Sequence, residues 1–211
     1  MKKKDIKVIN PHVLGWLEYK LNTQEMDYVW RCIKNKKENT SKKLAGNISS
    51  SYDLMDRGDW FYINVIKSLL DSYHEVFGNL GDKIPTTGRY PYCMNAWWVN
   101  YQKQNEFNPI HDHGSIYSFA LWMKIPYDSK KQNQKDIARN SNTPLIGDFQ
   151  FVYGDILGNT NQYTYRMSPE MEGTMLFFPS QLNHLVYPFL DCDEDRISVS
   201  GNISMDVSRR L

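Results

Sequence analysis

The sequence predicts a mostly β chain with helices gathered at its N-terminal end. Three observations carry that prediction. Of 211 residues 41% are apolar and 23% charged, a globular composition. Before Pro85, apolar residues recur at helical spacing. From Arg89 onward, Pro, Gly and Asn punctuate short runs rich in aromatic and β-branched residues, the pattern of a sandwich or barrel. A chain of this length buries roughly 70% of its unfolded surface and needs no staples to fold.

The elements follow in order. Lys2, Lys3 and Lys4 have no apolar run behind them and are expected to be a solvated terminus rather than a targeting segment. Asn22-Thr23 offers an N-cap for a helix whose apolar stripe runs through Met26, Val29 or Trp30, and Ile33. Asp59 is expected to cap a second helix with the stripe Phe61, Val65, Leu69, Tyr73 and Val76, stopped at Gly78. Strands are predicted near residues 92–103, 117–125, 147–153, 174–178, 185–187 and 196–205. The polar stretch 127–142 is longer than an ordinary connection and is expected to be a flap or disordered. The boundary near Pro85 reads as a change of element type, so residues 1–211 form one domain: a helical part, 1–85, packed on a β core, 86–211.

Composition also excludes function classes. A net charge of +1, from 25 basic and 24 acidic residues, argues against a nucleic-acid binder. No run of 18 apolar residues exists to span a membrane. Cys32, Cys93 and Cys192 are odd in number and lack a CxxC pair, so no disulfide framework is expected. The expectation is a soluble cytoplasmic protein, with exposed edge strands that leave room for a homodimer.

The chemistry concentrates in three places. In Asn108-Pro109-Ile110-His111-Asp112-His113-Gly114, an extended chain points His111 and His113 to one face and Asp112 away. His184 follows the apolar run Gly173–Phe178, which Pro179 ends, and a turn is expected to carry it back over the barrel mouth. An HxH pair alone is more often a surface or core pair than a metal site. A third histidine behind a buried strand raises its weight, although imidazoles alone do not choose among Fe, Zn, Cu and Ni. In Arg196-Ile197-Ser198-Val199-Ser200-Gly201-Asn202, Arg196, Ser198, Ser200 and Asn202 share one face. That face is either the solvent side of an edge strand or a polar interior holding an anion, for which arginine offers a planar fork of donors.

The order HxH, a strand closing in Phe-Pro, His, then Arg-x-Ser resembles the 2-oxoglutarate- and Fe(II)-dependent oxygenases, most closely a prolyl-hydroxylase-like branch with an HxH motif. The resemblance covers about residues 95–202. It implies a double-stranded β-helix, a cupin-like jelly roll. It implies Fe(II) as metal, with 2-oxoglutarate and O2 as cosubstrates, and hydroxylation of an unknown substrate, with a protein side chain as one candidate. His111 and His184 match the two histidine ligands. His113 stands where the family usually has a carboxylate, with Asp112 as the alternative third ligand if the strand bulges. Arg196 matches the anchor for the distal carboxylate of 2-oxoglutarate and Ser198 the hydroxyl beside it. Asn100 matches a polar residue that contacts the cosubstrate. Two other readings stay open: a three-His cupin iron dioxygenase that does not use 2-oxoglutarate, and a non-catalytic jelly-roll module that binds metal structurally.

Overall fold

The computed structural model describes residues 13–210, so Lys2, Lys3 and Lys4 lie outside the described residues. The first helix, α1 (Thr23–Lys34), starts where Asn22 and Glu25 close a reciprocal capping box: each side chain accepts from the other's backbone N–H. The second, α2 (Lys67–Phe77), is entered through a π turn at Tyr62–Ile66. Its cap differs from the expected Asp59. The Asp56 carboxylate accepts from Phe61 N–H and Tyr62 N–H, each at 2.9 Å, while Asp59 sits at φ 53° in the turn. The wide π turn also rotates the apolar stripe. Phe61, Val65, Leu69 and Tyr73 are buried as expected, but Ile66 and Leu70 join them and Val76 is exposed.

Ten strands follow the chain among the described residues: Leu17–Lys20 (β1), Ser50–Asp53 (β2), Tyr92–Gln102 (β3), Asn108–His111 (β4), Tyr117–Lys124 (β5), Phe149–Gly154 (β6), Thr160–Tyr165 (β7), Thr174–Pro179 (β8), Asn183–Val186 (β9) and Arg196–Met205 (β10). They build two antiparallel sheets. The larger has the order β1-β8-β5-β10-β3-β2 and the smaller β4-β9-β6-β7. The first 85 residues are therefore mixed rather than helical throughout, since β1 and β2 form both edges of the larger sheet.

Packing explains the strand patterns. One face of the larger sheet takes the helices: Phe61, Val65, Leu69 and Tyr73 pack with Trp97, Val99, Phe119, Phe177, Val199 and Ile203. The other face meets the smaller sheet, where Trp122, Leu176 and Phe178 pack against Phe149, Phe151 and Tyr165. A strand covered on both sides has no polar face, so β8 is buried from Thr174 to Phe178. Alternation in β10 sends Val199 and Ile203 toward the helices. Arg196, Ser198, Ser200 and Asn202 turn into the space between the sheets.

The stretch 127–142 is not a loose flap. It holds a short helix, α3 (Ser129–Gln132), and a 3-10 turn at Asp136–Ala138. Tyr127, Ser129, Gln132 and Ala138 are buried. The Gln132 amide donates to Leu190 O at 2.8 Å and accepts from Leu190 N–H at 3.0 Å, which ties α3 to the chain before β10.

Candidate functional site

β4 and β9 are hydrogen-bonded neighbours, and the Cα partner of His111 is His184. The ladder itself sets these two imidazoles side by side, with ring centroids 4.2 Å apart. The chain turns at Ser180–Leu182 and re-enters the sheet at Asn183, so the turn after Pro179 delivers His184 onto a strand. His113 stands just past the end of β4, its ring centroid 5.4 Å from that of His111 and 5.1 Å from that of His184. One nitrogen from each ring lies within 4.8 Å of the others. That spacing lets the three rings face a single ion. Asp112 is exposed and stands outside this group of three.

Each ring is already oriented for a metal. Nδ1–H of His111 donates to Pro109 O at 2.8 Å, that of His113 to Asn202 Oδ1 at 2.7 Å, and that of His184 to Leu182 O at 2.9 Å. A carbonyl oxygen only accepts, so these bonds put the proton on Nδ1 and leave Nε2 with its lone pair. Burial pushes the His184 imidazole down to about 3, and its neighbours His111 and His113 add to that against the pull of the Leu182 carbonyl. Burial lowers His113 as well, with Asn202 opposing. At neutral pH both are bare bases, as metal ligands must be. The donor set therefore fits a divalent transition metal. Three imidazoles would bring no negative charge to an ion held there.

The imidazoles open into a cavity of about 300 Å³ between the sheets. Arg196, Ser198, Ser200 and Asn202 all line it, so the polar face of β10 is interior, not solvent-facing. Arg196 is only 2% exposed. Its Nη1 donates to Tyr127 Oη at 2.5 Å and to Gly147 O at 3.0 Å, and its Nη2 to Gln102 Oε1. All three acceptors are neutral. No carboxylate pairs with Arg196 among the described residues. Of the five N–H donors of a guanidinium, two are left without an acceptor among the described residues. A buried, permanent charge with unused donors is costly unless an anion completes it.

Asn100, on β3, also lines the cavity, and its Oδ1 accepts from Ser51 Oγ of β2 at 2.7 Å. The Ser198 hydroxyl faces the same space. Sequence patterns did not single out Tyr127, which comes from a segment without strand periodicity. Burial raises its phenol so that it stays protonated, and it donates to Gly147 O at 2.6 Å. Gln102 shares the parity of Asn100 and was legible to that extent. Residues 43–46 and Ile48, between α1 and β2, line the cavity with Asn108 and Asp112, and no pattern in the sequence marked the connection.

No curated protein matches the chain. A family model described as "Putative 2OG-Fe(II) oxygenase" matches residues 96–202, half of the chain, a stretch that contains every histidine, Arg196, Ser198 and Asn100 of the cavity. Among solved structures, the chain is similar to an oxidoreductase of the 2OG-Fe(II) oxygenase family from Burkholderia pseudomallei, with 11% identity over 90% of this chain and 85% of that one, TM-score 0.56. It is similar to a prolyl-4-hydroxylase from Pseudomonas putida, with 13% identity over 91% and 93%, TM-score 0.51. It is also similar to HygX from Streptomyces hygroscopicus, solved with nickel, 2-oxoglutarate and hygromycin B, with 10% identity over 92% and 84%, TM-score 0.54. At these identities the likeness is one of fold. The family match rests on the sequence itself, and the chain belongs to the 2OG-Fe(II) oxygenase family, whose metal is Fe(II) and whose cosubstrate is 2-oxoglutarate.

Proposed function

We propose that the chain is a 2-oxoglutarate-dependent hydroxylase in which His111, His113 and His184 hold Fe(II) and Arg196 anchors the cosubstrate. The observation that carries this reading is the buried, carboxylate-free guanidinium of Arg196 in the same cavity as three converging imidazoles. We read β3 to β10 as a double-stranded β-helix. Its support is the interleaving of β8, β5, β10 and β3 in one sheet with β4, β9, β6 and β7 in the other. We read the whole chain as one domain, because β1 and β2 complete the larger sheet. A cytoplasmic location belongs to the same reading, in keeping with the free thiols of Cys32, Cys93 and Cys192.

In this reading the chain divides its tasks by strand. β4 and β9 present Nε2 lone pairs, with the partner carbonyls holding each ring in place. The spare donors of Arg196 and the Ser198 hydroxyl bind the distal carboxylate of 2-oxoglutarate, a charge-assisted pairing that satisfies both sides. Tyr127 and Gln102 keep the guanidinium from turning away. The amide of Asn100 adds a contact to the cosubstrate. Ala120, Trp122, Phe149 and Val186 line the cavity and exclude water. When bound, Fe(II) with 2-oxoglutarate and O2 supplies the oxidant that hydroxylates a C–H bond, with succinate and CO2 released. A cavity of about 300 Å³ lies at the small end of ligand pockets, which supports a substrate that inserts a single side chain.

The third neutral imidazole favours one competing reading, an iron dioxygenase that does not use 2-oxoglutarate. One experiment separates them. Fe(II)-loaded protein should form succinate from 2-oxoglutarate, and Arg196→Ala should abolish it. Oxygen consumption that is indifferent to 2-oxoglutarate and to Arg196→Ala would assign the chemistry to the competitor. Unchanged metal content in His111→Ala and His184→Ala would remove the metal reading altogether.

A further inference from the structure

Strand geometry places two of the three imidazoles but not the third. His111 closes β4 and His184 lies opposite it in β9, so the ladder fixes both. His113 is past the strand end, where no register dictates how its ring turns. Three contacts hold it. Its backbone N–H donates to Ser180 O at 2.9 Å. The Trp98 ring lies nearly parallel to it, 27° between planes and 5.8 Å between centroids. Its Nδ1 meets Asn202 Oδ1 at 2.7 Å. The first contact fixes the backbone and the second the ring plane, and both tolerate a ring flipped by half a turn. Only the third decides which nitrogen carries the proton and which faces His111 and His184.

Asn202 is itself held. Its cross-strand partner in β5 is Ser118, whose Oγ donates to the same Oδ1 at 2.8 Å. Ser118 Oγ also meets Ser180 Oγ at 2.7 Å, and both serines are fully buried. On the other side the register with β3 shifts between Asn202 and Ile203, the kind of irregularity that re-aims a side chain. A buried chain of hydroxyl, hydroxyl and amide thus ends on the imidazole that replaces the usual carboxylate.

We propose that Asn202 is the positioning residue that makes His113 a metal ligand. Its carbonyl oxygen selects the tautomer and ring orientation that present Nε2. The proposal rests on the reading of His111, His113 and His184 as metal ligands.

The test is calorimetric titration of the metal-free protein with Ni(II) alone, with no turnover required. Asn202→Ala should weaken Ni(II) binding about 10–100-fold, the usual loss when a ligand's hydrogen-bond partner is removed. In a His113→Ala background the same substitution should change the Kd by less than about two-fold, because the residue acts through His113. Asn202→Asp keeps an acceptor in place and should bind Ni(II) more tightly than the wild type. Equal losses in both backgrounds, or wild-type affinity in folded Asn202→Ala, overturn the inference. Should thermal unfolding of the metal-free protein show that Asn202→Ala does not fold, Asn202→Asp decides: an unchanged or weaker Kd overturns it. His111→Ala and His184→Ala keep the two levels apart. If they lose Ni(II) and Asn202→Ala does not, only this inference fails; if they also bind like the wild type, the metal reading fails beneath it.

Discussion

Arg196 is the residue whose energetics depend most on a ligand. Truncating one member of a buried, hydrogen-bonded charge pair costs about 2–5 kcal/mol of binding. Arg196→Met should therefore weaken 2-oxoglutarate binding by about 30-fold or more, and the rise in thermal midpoint that 2-oxoglutarate gives the Ni(II)-loaded protein should vanish. An undiminished rise would separate the guanidinium from the cosubstrate. His184 gives a pH prediction with a definite sign. Unfolded, its imidazole takes a proton near 6.5; folded, burial holds it neutral down to about 3. Between those values the unfolded state binds more protons, so stability is full above about 6.5 and is lost as pH falls toward 3. From pH 7 to pH 5 the metal-free protein should lose about 2 kcal/mol on this account, read in urea midpoints, and His184→Gln should flatten the slope. At this scale strand parity put Arg196, Ser198, Ser200 and Asn202 on one face but left open whether that face met solvent; in the structure His111, Arg196, Ser198 and Asn100 all line the cavity. Tyr127 and Gly147 were hidden because they reach Arg196 from irregular segments, across the sheet gap.

Among the elements, β10 carries the strongest constraint. Its residues alternate between a helix-packed core and the cavity, and Gly201 falls on the core side against β5. A Cβ at Gly201 would stand 2.6 Å from Phe119 Cζ and 3.0 Å from Ala96 O, and Phe119 is fully buried. Gly201→Ala should cost about 1–3 kcal/mol by overpacking, a drop of several degrees in thermal midpoint. A wild-type midpoint would mean that Phe119 has room to move. Long strands with aromatic or β-branched runs were legible: β3, β5, β6, β8 and β10 fall where the patterns put them. The unread ones share physical reasons. β7, Thr-Asn-Gln-Tyr-Thr-Tyr, is a mostly exposed edge whose polar residues look like a loop. β4 has four residues, one of them Pro109. β1 and β2 are short and lie among helical segments, where periodicity could not separate them. The start of α2 was misread because a carboxylate before the turn, Asp56, outcompetes the nearer Asp59.

For the molecule as a whole, the boundary near Pro85 reads as a change of element type within one domain, and the larger sheet crosses it. Phe61 stacks on Trp97, 5.3 Å between centroids and 21° between planes, and Ser51 holds Asn100. A chain starting at Pro85 would expose the helix-covered face and two strand edges. It should fail to fold cooperatively, giving a broad thermal transition and strong dye binding to exposed apolar surface; a sharp transition would make 86–211 an independent domain. Aromatic residues make up 14% of the chain, and many of them go into the layers on either side of the larger sheet. Part of the cavity wall has another origin. Residues 43–46 and Ile48 belong to the connection between α1 and β2, outside the ladder that aligns His111 with His184 and outside β10, and Asn47 bridges to Phe107 just before β4. A change in that connection would therefore reshape the space beside the imidazoles from a stretch of chain that carries none of them.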